Sequence, residues 1–379
     1  MKAWPVLAIS VMQALLFLAH WFIFHTIVAF WGDRSPAAVE GLRSTLFVLA
    51  FSFIFAALMS FRFASPLITA IYRIAAVWLG FLNFVFYAAC LCWVANFAQL
   101  VSPLASDRLH DRPFIAAALF GFAFLAGVYG LLNALWIRVR RVAVQLPNLP
   151  ASWRGRTALL ISDLHLGNIN GVRFSRRIAR MAARLRPDIA FIPGDFFDGT
   201  RLDPDRMTRP FRDFAPPLGI FFSTGNHDEY GDMPHDIEAL KRNGIRVLAN
   251  EKVTIDGVAI LGVSYAKSTH LLQMRSALES LHIEPGQPSI LLNHVPNRLP
   301  IVEQAGVSLQ LSGHTHGGQL FPITWFTRRA FGKFIHGLQR FGALQVYTSY
   351  GAGTWGPPMR VGTCSEMVLI TLSSKSVPC

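Results

Sequence analysis

The sequence contains few cysteines, and their scarcity excludes two kinds of protein. Only four of the 379 residues are cysteine. Cys90 and Cys92 lie in one apolar run, whereas Cys364 and Cys379 lie far along the chain. Such a small, scattered set cannot form the disulfide framework of a small secreted domain, and its spacing matches no zinc finger. Cysteine usage therefore favours a reducing compartment.

Charged residues are missing from four long stretches near the start of the chain. These stretches are residues 3–32, 44–61, 74–106 and 113–137. Each is at least as long as the roughly 17–25 residues that a helix needs to cross a bilayer. They are apolar on every side, whereas a buried core helix keeps a polar stripe, and the first is too long for the apolar region of a signal peptide. We predict transmembrane helices near 6–31, 44–61, 74–100 and 114–137.

The Lys and Arg residues that flank these helices predict their orientation. One side of the membrane would carry Lys2, Arg62, Arg73, Arg138, Arg140 and Arg141, and the other Arg34, Arg43, Arg108 and Arg112. Acidic residues dilute only the second set. The positive-inside rule then predicts a multi-pass protein of the cell inner membrane, with both ends and the globular domain in the cytoplasm.

Some polar residues lie within the apolar stretches. Gln13, His20 and His25 lie in the first stretch and Asn83 in the third. At such depth a polar side chain either hydrogen-bonds to a neighbouring helix or marks a functional site. We favour hydrogen bonds between helices.

The overall composition indicates two unlike parts. A chain that is 52% hydrophobic and carries a net charge of +13 does not fit a single soluble domain. We predict a transmembrane module over residues 1–141 and a linker over 142–154, where Pro147 and Pro150 favour an extended connector. A basic globular domain follows over 155–372, and 373–379 form a tail.

Strand and helix patterns alternate along the globular domain. Short apolar runs predict strands at 157–162, 189–193, 220–224, 253–255, 258–263, 289–293, 307–312, 344–350 and 367–372. Helical spacing predicts helices at 173–186 and 236–243. This order is typical of an α/β domain with one mixed sheet or two packed sheets.

Residues of metal-ligand type follow five of the predicted strands. They are Asp163 and His165, Asp195, Asn226 with His227 and Asp228, His294, and His314 with His316. Ligands bind at the carboxyl ends of strands in α/β sheets, so these side chains should meet. A His-x-His pair alone would be weak evidence, but five clusters together indicate a metal site. Carboxylate and imidazole ligands suit Mn, Fe or Zn.

The number of ligands exceeds what one ion needs. Two divalent ions that share one carboxylate would use all of them, and such pairs catalyse in-line displacement at phosphorus. The residues therefore predict hydrolysis of a phosphate ester or anhydride.

The motifs together resemble the calcineurin-like metallophosphoesterases. They are Asp163-x-His165, Gly194-Asp195-x-x-Asp198, Gly225-Asn226-His227-Asp228, His294 and Gly313-His314-Thr315-His316, and the resemblance covers roughly residues 155–372. Gly313–Gln319, Gly353–Gly356 and Arg360 are similar to the membrane-associated bacterial branch, which includes enzymes that act on lipid-linked phosphodiesters and pyrophosphates. The fold implied is a four-layer α/β/β/α sandwich.

The resemblance also implies residue roles. The first ion would bind Asp163, His165, Asp195 and His316, and the second Asp195, Asn226, His294 and His314. His227 would be the general acid, oriented and kept protonated by Asp198, with Asp228 as the alternative partner. Gly199 stands where phosphoprotein phosphatases carry Arg, which argues against a phosphoprotein substrate.

The substrate stays open at this stage. A lipid-linked or membrane-proximal phosphate compound is the first reading, and a soluble nucleotide or phosphodiester is the second. A non-catalytic membrane protein with a degenerate domain is the third, and the intact ligand set argues against it. Residues 321–341 mix aromatic and basic side chains, as an interfacial segment or a partly buried loop would. No nucleic-acid partner is expected, because the chain contains no motif that binds DNA or RNA.

Overall fold

The structure is a computed structural model that describes residues 3–31, 35–101 and 111–374, with side chains from residue 6 onward. It divides into two compact units. The first comprises residues 1–132 with 356–359, and the second comprises residues 133–355 with 360–379. Lys2, Arg34 and Arg108, which contribute to the predicted orientation, lie outside the described residues, as does the predicted tail beyond Ser374.

Four long helices form most of the first unit. They are α1 (Ala3–Trp31), α2 (Pro36–Arg62), α3 (Pro66–Val101) and α4 (Arg112–Leu135). All four are long and apolar enough to cross a membrane, which confirms the predicted helices. Helices α2 and α3 begin before the predicted starts because Arg43 and Arg73 lie within them rather than before them. Ser35 caps α2 by accepting a hydrogen bond from the backbone N–H of Ala38.

Polar side chains on α1 hydrogen-bond to its neighbours. The indole Nε1 of Trp78 donates to Nε2 of His20 over 2.9 Å. Nδ1 of His20 therefore carries the proton, and it lies 2.7 Å from the carbonyl oxygen of Leu16. Nε2 of Gln13 donates to the carbonyl oxygen of Ala50 over 3.0 Å. The predicted interhelical role is confirmed for His20 and Gln13.

The second unit contains two six-stranded sheets. The strands are β1 (Arg138–Leu146), β2 (Thr157–Leu160), β3 (Ile189–Pro193), β4 (Ile220–Ser223), β5 (Ile245–Val247), β6 (Glu251–Ile255), β7 (Val258–Gly262), β8 (Ser289–Leu292), β9 (Leu309–Ser312), β10 (Gly337–Phe341), β11 (Leu344–Thr348) and β12 (Glu366–Ser374). The first sheet has the order β1-β12-β2-β3-β4-β5, and the second has the order β10-β11-β9-β8-β7-β6.

Seven helices accompany the sheets. They are α5 (Val172–Leu185), α6 (Pro204–Thr208), α7 (Met233–Arg242), α8 (Tyr265–Thr269), α9 (Leu271–Leu281), α10 (Leu299–Gln304) and α11 (Ile323–Phe331). Short 3-10 turns occupy Ala151–Trp153, Arg209–Asp213, His316–Gly318 and Gly332–Ile335.

Three apolar cores separate four layers. In β3, Ile189 and Phe191 join the core between the two sheets, while Ala190 and Ile192 join the core beneath α5. The third core packs the outer face of the second sheet against α9 and α10. Successive strand residues point to opposite faces, so strands covered on both sides must be apolar throughout. The predicted α/β/β/α sandwich is confirmed.

The structure differs from the sequence reading at the predicted linker. Residues 142–146 are not a connector but the second half of β1, which pairs in parallel with β12 from Arg138 opposite Glu366. Trp153 is fully buried, and its Nε1 donates to the carbonyl oxygen of Ile255 over 3.0 Å. The first strand of the globular fold therefore begins at Arg138, shortly after the end of α4.

The segment 321–341 also contains more regular structure than expected. It forms α11, a 3-10 turn and β10, an edge strand that pairs antiparallel with β11. Strands β2, β3 and β4 run parallel, as do β7, β8 and β9. Their carboxyl ends carry the predicted ligands.

Candidate metal centre

All nine predicted site residues follow parallel strands and lie in one region. Asp163 and His165 follow β2, Asp195 and Asp198 follow β3, Asn226 and His227 follow β4, His294 follows β8, and His314 and His316 follow β9. Most of these side chains are buried, so the structure assembles polar groups in the protein interior. Polar groups are costly there unless they are paired or bind a ligand.

One group of ligand atoms comprises Asp163, His165 and His316. The Nε2 atoms of the two imidazoles face each other at 3.0 Å. Nε2 of His316 lies 3.5 Å from Oδ1 of Asp163. Oδ1 of Asp163 also accepts the backbone N–H of His314 over 2.9 Å, which fixes the direction of the carboxylate.

A second group comprises Asp195, His294 and His314, with Asn226 beside it. Nε2 of His294 lies 3.2 Å from Oδ2 of Asp195. Nδ1 of His314 lies 3.3 Å from Nε2 of His294 and 3.0 Å from Oδ1 of Asn226. Two imidazole nitrogens and two side-chain oxygens thus converge on one point.

Asp195 lies between the two groups. Its Oδ2 atom is 3.5 Å from Nε2 of His165 in the first group and 3.2 Å from Nε2 of His294 in the second. Its Oδ1 atom accepts the backbone N–H of His227 over 2.9 Å. The carboxylate is therefore held in the position that a bridging ligand would occupy.

Hydrogen bonds outside the centre orient two of the imidazoles. Nδ1 of His294 lies 2.8 Å from the carbonyl oxygen of Pro193 and donates to it, which directs Nε2 toward Asp195. Nη2 of Arg360 lies 3.2 Å from Nδ1 of His316 and can only donate to it. Such outer contacts are typical of metal-binding histidines. The donor set fits divalent ions that accept both nitrogen and oxygen ligands.

Burial and neighbouring charges set the protonation of the ligands. Burial lowers the pKa of His314 to about 3 and that of His316 well below its ordinary value. Burial alone would also raise the pKa of Asp195, but the nearby His294 lowers it. Burial likewise opposes the charged form of His294, yet Asp195 raises its pKa to about 9. Near neutral pH two imidazoles are therefore neutral and the shared carboxylate is charged.

The backbone at the centre adopts uncommon conformations. The residues Asp163, His165, Asp195, His314 and His316 have φ between 44° and 68°. Left-handed backbone costs a non-glycine residue about 1–3 kcal/mol, and such residues cluster at functional sites. At Gly313 a Cβ atom would lie 1.9 Å from Oγ of Ser162, so only glycine lets the loop after β9 approach the loop after β2.

His227 lies beside His165, and with His165 and Asp195 it forms a third group of candidate ligand atoms. Its ring centroid is 4.7 Å from that of His165, and its Nδ1 lies 3.3 Å from the carbonyl oxygen of Asp198. The carboxylate of Asp198 is 3.9 Å from Nδ1 of His227 but 3.5 Å from Nδ1 of His165, so it lies closer to His165 than to His227. Burial, and then the charge of His165, lower the pKa of His227, whereas the expected role requires a protonated ring.

The contacts of Asp228 differ from the predicted role as an alternative partner of His227. Its carboxylate accepts backbone N–H groups of Asp195, Gly225 and Phe197 over 2.8, 2.8 and 2.9 Å. It therefore connects the loops after β3 and β4. Burial raises the pKa of Asp228 to about 7. Its position directly after His227 gave no signal of this role.

Arg360 is the second residue whose role the sequence did not reveal. The side chain is fully buried, and Nη2 donates to carbonyl oxygens of Tyr350 and Gly353, each over 2.6 Å. Together with its contact to His316, these bonds attach the loop after β11 to the metal-ligand loop after β9. Burial lowers the pKa of Arg360 to about 10, so it stays charged at neutral pH.

The sequence profile of the calcineurin-like phosphoesterases matches residues 156–318. A protein of Aquifex aeolicus named an uncharacterized metallophosphoesterase is 31% identical over 258 residues, which cover 67% of this chain and 98% of the relative. The chain belongs to this family. It is a metal-dependent phosphoester hydrolase, as the motifs predicted.

Other relatives of this metallophosphoesterase also span a large part of the chain. A protein of Campylobacter jejuni, again named an uncharacterized metallophosphoesterase, is 28% identical over 350 residues, 87% of this chain and 91% of its own length. A transmembrane protein with metallophosphoesterase domain from Danio rerio is 34% identical over 273 residues, 67% of this chain and 62% of its own length. The four apolar helices and these relatives support a membrane protein.

We expect Asp195→Ala to remove metal from both groups, because its carboxylate faces both. The measurement is elemental analysis of the purified full-length protein. Asp256→Ala is the control, because Asp256 lies in the turn between β6 and β7, at the end of the sheet away from the metal centre. Activity should fall together with metal content. A variant that retains as much metal as the control would contradict the bridging position.

Proposed function

We propose that this metallophosphoesterase binds two divalent ions, Mn, Fe or Zn, and cleaves a phosphoester or pyrophosphate bond of a lipid-linked or membrane-proximal substrate. The position of Asp195 between two ligand groups carries the proposal. The first ion would bind Asp163, His165, Asp195 and His316, and the second Asp195, Asn226, His294 and His314. When bound, such a pair activates a water molecule and neutralises charge on the phosphoryl group.

His227 is suited to protonate the leaving oxygen. Nδ1 of His227 faces the carbonyl oxygen and the carboxylate of Asp198, at 3.3 and 3.9 Å, so a proton on Nδ1 has acceptors there. Burial lowers the pKa of His227, but the carboxylate and the carbonyl oxygen of Asp198 oppose this shift and favour the second proton on Nε2, which the ring would deliver. Trp355 and Tyr230, both more than half exposed, place their rings 5.5 and 5.2 Å from that of His227 and form an apolar rim.

Hydrogen bonds between the last turn of α4 and Arg360 support the proposal that the substrate lies at the membrane. Asn133 and Ala134 belong to the last turn of α4 and to the second compact unit. Nδ2 of Asn133 donates to the carbonyl oxygens of Arg360 and Thr363, each over 2.9 Å. Arg360 in turn contacts His316. A proposed metal ligand is therefore separated from the end of a candidate membrane helix by a single residue.

We expect the full-length protein in lipid nanodiscs with Mn²⁺ to hydrolyse a lipid-linked phosphodiester or pyrophosphate with a higher kcat/KM than soluble nucleotides or soluble diesters. The physical reason is the short connection between α4 and the metal-ligand loop. Asp195→Ala in the same nanodiscs provides the inactive control. A preference for soluble substrates would replace the proposed substrate class with the soluble one.

His227→Ala should slow the cleavage of an alkyl phosphodiester by roughly 10²–10⁴-fold, because general acid catalysis contributes about that much when the leaving group is a strong base. Cleavage of a nitrophenyl ester, whose leaving group needs little protonation, should fall much less. Asp198→Asn should give a milder form of the same pattern, since the backbone carbonyl that faces Nδ1 remains. The two kcat/KM values and the metal content are measured for each variant. Loss of an ion in His227→Ala would mean that His227 is a ligand.

We further propose that the catalytic domain lies on the cytoplasmic side of the inner membrane. The Lys and Arg bias of the flanking segments and the even number of candidate spans support this orientation. An alkaline phosphatase fused after Cys379 should be inactive, and a fluorescent protein fused there should fluoresce. Active phosphatase with a dark fluorescent fusion would reverse the orientation.

A further inference from the structure

Helix α11 presents an apolar surface that the described protein does not cover. None of its nine residues is buried, and the 3-10 turn that follows it also has no buried residue. Ile323, Trp325 and Phe326 are 46%, 59% and 58% exposed. A helix this short is marginal in water and depends on packing of its apolar side chains. The exposed apolar side chains therefore indicate that this helix packs against a binding partner.

Basic residues border this apolar surface. Arg328, Arg329 and Lys333 are exposed. The rings of Trp325 and Phe326 contact each other with centroids 5.0 Å apart. Aromatic side chains surrounded by Lys and Arg are the composition of helices that lie in the headgroup region of anionic bilayers. A protein partner would need an apolar patch ringed by acidic residues, whereas an anionic bilayer offers both properties at once.

A chain of contacts connects α11 to the end of α4. The backbone N–H of Phe321 donates to the carbonyl oxygen of Val361 over 2.9 Å. On either side of Val361, the carbonyl oxygens of Arg360 and Thr363 accept from Asn133, two residues before the end of α4. Because α4 is a candidate membrane span, these contacts connect α11 to the residues that would leave the bilayer.

We propose that the exposed face of α11, formed by Ile323, Trp325, Phe326, Arg328 and Arg329, lies in the headgroup layer of an anionic bilayer. This inference rests on the proposed function and extends it, because it identifies the surface through which the catalytic domain meets the lipid. The partner is the bilayer itself, and the recognised chemistry is a negatively charged headgroup layer with apolar chains beneath it.

The other face of α11 connects this surface to the metal-ligand loop. Thr324, Thr327 and Phe331 are half-buried and recur at helical spacing. A Cβ atom on Gly318 would lie 2.6 Å from Cα of Thr324, so the helix and the loop that carries His316 are in direct backbone contact. The ring of Phe331 lies 6.2 Å from that of His314. If α11 lies in the headgroup layer, its contacts with the metal-ligand loop therefore also determine the distance between the metal centre and the bilayer.

The test uses the full-length protein in nanodiscs that contain neutral lipid with or without anionic phospholipid. A photoreactive benzoylphenylalanine replaces Trp325 or Phe326, and mass spectrometry identifies the product of illumination. Glu284, an exposed residue that precedes β8 at the end of the sheet away from the metal centre, provides the matched control position. We expect lipid adducts at positions 325 and 326 at several times the yield at 284. Equal yields, or adducts to a second copy of the chain instead of lipid, would overturn the proposal.

The arginines provide a second measurement. With the crosslinker at position 326, Arg328→Gln together with Arg329→Gln should lower the lipid-adduct yield in anionic nanodiscs by up to about fivefold for each arginine. The yield in neutral nanodiscs should stay nearly the same. An unchanged yield in anionic nanodiscs would contradict the proposal that Arg328 and Arg329 bind negatively charged headgroups. Neither measurement needs a substrate, so adducts without hydrolysis of any lipid phosphoester would refute the proposed function and leave the bilayer contact standing.

Discussion

The burial of one guanidinium group constrains most of the metal-ligand region. A charge removed from water is costly unless hydrogen bonds replace its hydration. Arg360 meets this need with Nη2, which lies within 3.2 Å of three backbone carbonyl oxygens and of Nδ1 of His316. Those carbonyl groups belong to residues 350, 351 and 353, so the loop after β11 must keep its shape for the arginine to remain buried. The loop that carries His316 is then held by the same group.

The residues with the most characteristic chemistry could be predicted from the sequence. Asp163, His165, Asp195, His294 and His316 were found because carboxylates and imidazoles recur after apolar strands, and the structure brings them together. Strands such as β3 could also be expected to be covered on both faces, because they are apolar throughout, whereas the four layers were implied by the family resemblance. The ligands and the buried strands depend on local sequence alone.

Other features depend on partners that are distant in the sequence. Residues 138–146 were read as a charged flank and a connector because their strand partner, β12, lies more than 200 positions later. The sequence predicts a membrane-flanking charge at Arg140, and the structure adds an ion pair, because its Nε lies 2.6 Å from Oε2 of the fully buried Glu366. Asp228 braces backbone N–H groups from two loops, and no spacing rule predicts which N–H groups a carboxylate will meet.

The strand order has a consequence for how the protein is made. Strand β12 lies between β1 and β2, and it is the last of the described strands to leave the ribosome. Until then β1, which directly follows the apolar α4, has no neighbour, and β2 lacks the partner on one side. Membrane insertion of the helices can thus precede completion of the sheet. Strand β1 becomes hydrogen-bonded to the rest of the sheet only when synthesis reaches residues 366–374. A nascent chain that stops earlier therefore carries β1 and β2 without the strand that pairs with both.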